Sequence, residues 1–148
     1  MLTFSEQKDK LINAYLKNEI NPYDNCACFI GNLLNGNHGW AFARPLSMKA
    51  LGCSEQECKI RSYQAINTIM RESVGTYTLE EIYNLEKTFM DIIKKGGVGS
   101  AYNNYTPKEE DVIFQAFSAA LDHLQRIHES KGEVIEEFQF KQRKLQEV

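Results

Sequence analysis

Apolar residues recur along this chain at the three-and-four spacing of an amphipathic helix rather than at the alternation of a strand. Leu11, Ile12, Tyr15, Leu16 and Ile20 form the first such stripe and predict a helix over 5–20. Ser5 supplies its N-cap. Asn21-Pro22 stops it, because proline lacks an amide hydrogen and disfavours helix in the residue before it. The second run, Ala27, Phe29, Ile30, Leu33 and Leu34, is apolar on most sides. It predicts a buried central helix capped by Asp24 or Asn25 and ended by Asn35-Gly36.

Three Ser/Thr-x-x-Glu boxes then mark helix starts, each able to satisfy two orphan amide donors reciprocally. Ser54 with Glu57 opens a predicted helix over 54–73, Thr78 with Glu81 one over 78–95, and Thr106 with Glu109 one over 106–130. Pro107 at the first helical position strengthens the third. Ile82, Leu85, Phe89 and Ile93 make one core stripe; Ile113, Phe117, Ala120, Leu121, Leu124 and Ile127 make another. Strand signals are nearly absent. The predicted core is Cys26, Ile30, Leu33, Leu85, Phe89, Phe117, Leu121 and Leu124.

Two segments break this regularity. Residues 35–53 contain Gly36, Gly39, Gly52, Pro45 and the single tryptophan, Trp40. Residues 96–105 are glycine-rich and read as mobile. Lys131-Gly132 breaks the chain again before Val134, Phe138, Leu145 and Val148, which suggest a short terminal helix. The pattern therefore predicts an all-α fold: a single-domain compact bundle of five or six helices over 1–131, with one irregular Trp-containing loop and a C-terminal helical extension over 132–148.

Composition narrows the classes. With 148 residues, one core is expected to stand without staples. Hydrophobic and charged fractions of 43% and 25% are ordinary globular values, so wholesale disorder is excluded. No apolar run approaches the ~20 residues of a membrane helix, and Met1-Leu2-Thr3-Phe4 starts no signal peptide. The expectation is a cytoplasmic protein without a membrane partner. A net charge of −3 offers no basis for general nucleic-acid binding. Paired acids at Glu80-Glu81 and Glu109-Glu110-Asp111 fall in first helical turns, where the helix dipole explains them, as it explains His128 in a last turn.

Candidate chemistry is sparse. Cys26 and Cys28 are too closely spaced for a zinc knuckle, Cys53 and Cys58 are acceptably spaced but read as lying at and inside a helix start, and His123 and His128 do not share a helix face, so no metal is expected. A cysteine at a helix start is a possible nucleophile, but Cys26 or Cys28 would need a positioned base from His38, His123 or His128. A polar stripe is more unusual: Asp24, Cys28, Asn32 and Asn35 recur along one face of the second helix beside Gly31. Asparagine offers both donors and an acceptor, and glycine permits close approach. The alternative is tight packing around Gly31, with Asn32 bonding a loop carbonyl. His38, Trp40, Tyr102 and Tyr105 from the irregular segments complete a candidate ligand pocket.

The order of several short motifs resembles a group of small helical proteins of Bacteroidota and their phages or prophages. These are Cys28-Phe29-Ile30-Gly31-Asn32, then Trp40, then Tyr77, Thr78, Glu81, Ile82, Glu86 and Phe89, and last Leu121-Asp122-His123-Leu124-Gln125-Arg126-Ile127-His128. The resemblance spans about residues 25–129 and implies an all-helical cytosolic protein of a mobile element. It brings no activity with it.

The functional expectation is a non-enzymatic binding protein without a cofactor, such as a phage-encoded inhibitor of host defence that holds a protein partner or sequesters a small ligand. The alternatives are a cysteine-dependent hydrolase or transferase using Cys26 or Cys28, and an oligomeric module paired through its C-terminal segment.

Overall fold

The computed structural model describes residues 3–23, 28–33, 77, 79–99 and 104–135. Those residues form four helices and no strand: α1 (Phe4–Leu16), α2 (Phe29–Leu33), α3 (Leu79–Lys95) and α4 (Pro107–Ser130). The predicted helix over 54–73, the Trp40 loop and residues 136–148 lie outside the described residues. No described helix is long and apolar enough to cross a membrane.

Helix α4 starts as its sequence demands. Thr106 Oγ1 accepts the Glu109 amide at 3.2 Å, and Glu109 Oε1 accepts the Thr106 amide at 3.0 Å. Helix α1 differs from expectation at both ends. Its cap is Thr3 rather than Ser5, because Glu6 stands three residues after Thr3 and closes the reciprocal box. It also ends at Leu16, a turn before Asn21-Pro22, because Asn18 takes a left-handed conformation with φ 61°.

Three helices share one kind of C-terminus, in which a left-handed residue lets two amides bond backward. After α1 these are Asn18 to Tyr15 O and Glu19 to Ala14 O. Behind α3 come Gly97 to Lys94 O and Val98 to Ile93 O, and beyond α4 follow Gly132 to Glu129 O and Glu133 to His128 O. Asparagine tolerates this conformation and glycine adopts it freely, which is why Asn18, Gly97 and Gly132 occupy the three turns. Lys94 and Lys95 sit in the last turn of α3, where the dipole favours cations.

Helices α3 and α4 run antiparallel. Glu81, near the start of α3, pairs with Lys131, just past the end of α4, at 2.8 Å. At the other end Gly99 N donates to Glu109 Oε2 at 2.9 Å. These hydrogen bonds, from Thr106 first and then Gly99, hold the Glu109 carboxyl below the usual carboxylate range. The glycine-rich start of the connection is built into the fold rather than loose: Val98 is buried, and its carbonyl accepts the Tyr23 hydroxyl at 2.8 Å. Gly96 lies so close to α4 that a Cβ there would run into the Val112 side chain. Gly96→Ala is therefore expected to cost about 1–3 kcal/mol by overpacking. Gly97→Asn should be near neutral, since it keeps a residue that accepts positive φ. Urea midpoints compare them, and an unchanged midpoint for Gly96→Ala would refute the close approach.

The core lies where α1, α2 and the antiparallel pair meet. Seven of the eight predicted core residues are buried: Ile30, Leu33, Leu85, Phe89, Phe117, Leu121 and Leu124. Cys26 lies outside the described residues. Helix α2 is short and wholly internal on its apolar faces. Phe29 meets Phe117 edge-on at 5.8 Å and Phe89 at 6.0 Å. Lys10 closes the far end of α2 by donating to the Leu33 carbonyl at 2.9 Å, and burial lowers the pKa of that ammonium.

The expected start of the second helix moves as well. Cys28 is a bend and α2 begins at Phe29. Residues 133–135 are non-helical, which shortens any terminal helix at its beginning.

Candidate functional site

Of the predicted pocket residues, Asp24, Asn35, His38, Trp40 and Tyr102 lie outside the described residues. Cys28, Asn32 and Tyr105 are described, and all three do structural work. Cys28 is wholly buried, and its Sγ accepts the Gly31 amide at 3.3 Å, the bond an N-cap side chain makes to the third helical residue. Asn32 donates from Nδ2 to Cys28 O at 3.0 Å and to Glu19 O at 3.1 Å, so it does bond a loop carbonyl. Tyr105 donates to Asn21 Oδ1 at 3.0 Å, and the same oxygen accepts the Tyr23 amide. Asn32 and Tyr105 thus grip the connection that leads from α1 toward α2.

A polar cluster with more chemistry lies at the other end of the bundle, where the starts of α1 and α3 meet the end of α4. Its centre is His128, only 1% exposed although it belongs to the last turn of α4. It lies there because the apolar stripe does not stop at Ile127. Leu121, Leu124 and His128 occupy positions three and four apart on the buried face. The Tyr77 hydroxyl stands 2.7 Å from His128 Nε2, and Phe4 and Tyr77 enclose the ring at centroid distances of 5.8 and 5.6 Å.

Glu133 reaches the same cluster through the turn at Gly132. Its Oε1 lies 3.5 Å from His128 Nδ1. Its Oε2 accepts the Phe4 amide at 3.1 Å, which places a carboxylate on the first N–H of α1, where the helix dipole favours it. Lys131 sits 5.1 Å from the Tyr77 ring centre while pairing with Glu81. Burial, with Glu81 and Glu133 adding to it, pushes the Tyr77 phenol far up, so it stays protonated. The Tyr77 hydroxyl and His128 Nε2 share one hydrogen bond, whose direction follows the imidazole tautomer.

Outside this cluster runs a half-open groove of about 400 Å³. Phe4, Val134 and Ile135 give it apolar walls; Thr3, Ser5, Lys8 and Glu133 give it polar ones. Val134 is 99% exposed there, and Leu16 is the other exposed large hydrophobic among the described residues. No group of three or more metal-ligating side chains occurs among the described residues.

No protein-family model, curated protein or solved structure matches this chain. Its site therefore has to be read from its own geometry. The helix dipole alone accounts for His128 in the sequence, and Glu133 falls without distinction in the segment over 132–148. The signals that could have found them are the stripe through Leu124, which continues one turn to His128, and the Lys131-Gly132 break, where the chain turns and returns Glu133.

Proposed function

We propose that this protein acts by binding rather than by catalysis, and that its ligand lies in the groove between the start of α1 and residues 133–135. The observation that carries this reading is the groove itself. Its volume of about 400 Å³ falls within the ~300–1,000 Å³ of small-molecule sites. Apolar walls with a few polar groups suit a small amphipathic ligand or a short segment of a partner protein. An exposed valine at its rim leaves apolar surface for that ligand to cover.

The cysteine-enzyme alternative has less support. Of its two candidate nucleophiles, Cys28 is buried with its thiol engaged by the Gly31 amide, and Cys26 lies outside the described residues. The rest of the reading extends the same proposal. A bundle of five or six helices frames the groove, the protein works in the cytosol, and the motif order supports a mobile-element setting. There the partner would be a component of host defence.

Val134→Glu tests the groove. The side chain is fully exposed, so the substitution should leave the unfolding midpoint unmoved. A screen of small amphipathic molecules by protein NMR should give shifts concentrated at Phe4, Val134 and Ile135 in the wild type, and Val134→Glu should weaken that binding about tenfold or more, the loss expected from about 1.4 kcal/mol. Shifts scattered over the surface, or equal binding to both proteins, would end the proposal.

A further inference from the structure

Residues 131–135 cross the end of the bundle after α4, and side chains rather than a backbone ladder hold them there. Lys131 pairs with Glu81 of α3 at 2.8 Å and sits 5.1 Å from the Tyr77 ring centre. Glu133 Oε2 accepts the Phe4 amide of α1 at 3.1 Å, and its Oε1 lies 3.5 Å from His128 Nδ1. The segment therefore clasps both neighbours of α4, one from each side of Gly132.

Gly132 has the geometry of a hinge. Its φ of 92° lies in the region that favours glycine, and nothing stands within 4 Å of where a Cβ would be. Gly132 N to Glu129 O and Glu133 N to His128 O are the last backbone bonds along the segment; Val134 and Ile135 make none among the described residues. Exposure then alternates as in an extended chain. Glu133 is partly buried, Val134 points into solvent, and Ile135 packs partly against the core.

What the segment covers is far better packed than the segment itself. Phe4, Tyr77 and His128 are at most 4% exposed. Among the described residues its own apolar anchor is Ile135 alone, whereas α3 and α4 bury whole stripes. Few buried apolar contacts and a backbone without a ladder are the marks of a segment that opens more easily than its domain unfolds. Turning about Gly132 parts the Glu81 and Phe4 clasps without disturbing the packing of Phe89, Phe117 and Leu124.

We propose that residues 131–135 form a strap, hinged at Gly132, that opens and closes as one unit over the Phe4, Tyr77 and His128 end of the bundle and whose closure builds the groove. Closed, it supplies Glu133, Val134 and Ile135 to the groove wall. Open, the groove loses that wall, and the Tyr77 and His128 rings meet solvent. A ligand that fits the groove binds the closed strap alone and shifts the population toward it. The opening itself requires no ligand, so the protein by itself can be tested.

Native-state hydrogen exchange of the whole chain, followed by NMR through low urea, is that test. One event should release the Phe4, Gly132 and Glu133 amides, with protection factors that agree within about threefold and barely respond to urea. The Leu85, Phe89 and Leu124 amides should be at least about tenfold better protected and exchange through an unfolding that urea promotes. The two clasps should also report on each other across the hinge. Lys131 bonds Glu81 and not Phe4, yet Lys131→Met should speed Phe4 exchange about fivefold. Glu133→Ala should speed Gly132 exchange about tenfold, the loss of a hydrogen bond to a charged group. Strap amides whose protection differs by more than threefold, protection less than tenfold below that of Phe89, or a Phe4 rate that ignores Lys131→Met would each overturn the strap. The wild-type profile decides the matter even if neither variant folds. Ligand binding in the groove without this opening would remove the strap and leave the proposed function standing.

Discussion

Phe117→Ala is expected to remove about 3–5 kcal/mol of folding stability, the usual cost of emptying an aromatic core position. Phe117 is wholly buried on α4 and stacks on Tyr15 of α1 at 4.8 Å with ring planes 23° apart. Its edge contact with Phe29 brings in α2, and Phe29 in turn meets Phe89 of α3. The ring series therefore runs through all four described helices, and Phe117 is the member that joins α1 to α2. Aromatic pairs of this kind contribute about 0.5–1.5 kcal/mol each beyond their buried area. Set against a typical total of about 5–15 kcal/mol, this loss would leave the chain marginal. Phe117→Leu, which keeps most of the volume, should cost much less. Urea denaturation with matched slopes gives both values. A loss for Phe117→Ala below about 1 kcal/mol, the ordinary average for a point substitution, would mean that the rings do not hold the helices together.

A different kind of loss is expected at the other end of the bundle. His128→Leu should cost about 2–4 kcal/mol, because it removes a packed ring and takes away the partner of both the Tyr77 hydroxyl and Glu133. Tyr77→Phe should cost about 1–2 kcal/mol, since it leaves Nε2 buried without its hydrogen-bond partner. The double variant should cost less than the two losses added, by about 1 kcal/mol, because a buried polar group is most expensive when only its partner is removed. A double-mutant cycle in urea measures this coupling. Strictly additive losses would show that Tyr77 and His128 are neighbours without being partners.

These two regions differ in how openly the sequence announces them. The ring core follows from periodicity: Ile113, Phe117, Leu121 and Leu124 recur at helical spacing, and all are buried. The start of α4 was equally plain, since Thr106, Pro107 and Glu109 are a local code for a helix beginning. At α1 the expected cap, Ser5, gives way to Thr3, because Glu6 three residues on closes the reciprocal box with Thr3. Helix ends were harder. Asn18 stops α1 through a left-handed turn that asparagine adopts only in a suitable context, so Asn21-Pro22 looked like the stronger signal. Val98 became a core residue because Gly97 turns it back onto α3, a contact no stripe contains.

The candidate site was legible only in fragments. Cys28, Asn32 and Tyr105 were expected to line a ligand pocket, and the alternative expectation, that Asn32 bonds a loop carbonyl, is met at Glu19 O. Their partners, Gly31 N, Glu19 O and Asn21, are local or backbone groups that side-chain patterns do not reveal. Tyr77, His128 and Glu133 converge because a reversing turn and an antiparallel helix pair meet at one point. Each residue looks ordinary in its own segment.

The bond between the Phe4 amide and Glu133 joins positions 129 apart in the chain. During synthesis, α1 emerges long before its partner carboxylate exists. The first amide of that helix has to wait, bound to water, until almost everything described has left the ribosome. The end of the bundle is thus completed last, and the chain reaches its final form only after nearly all of it is available to fold.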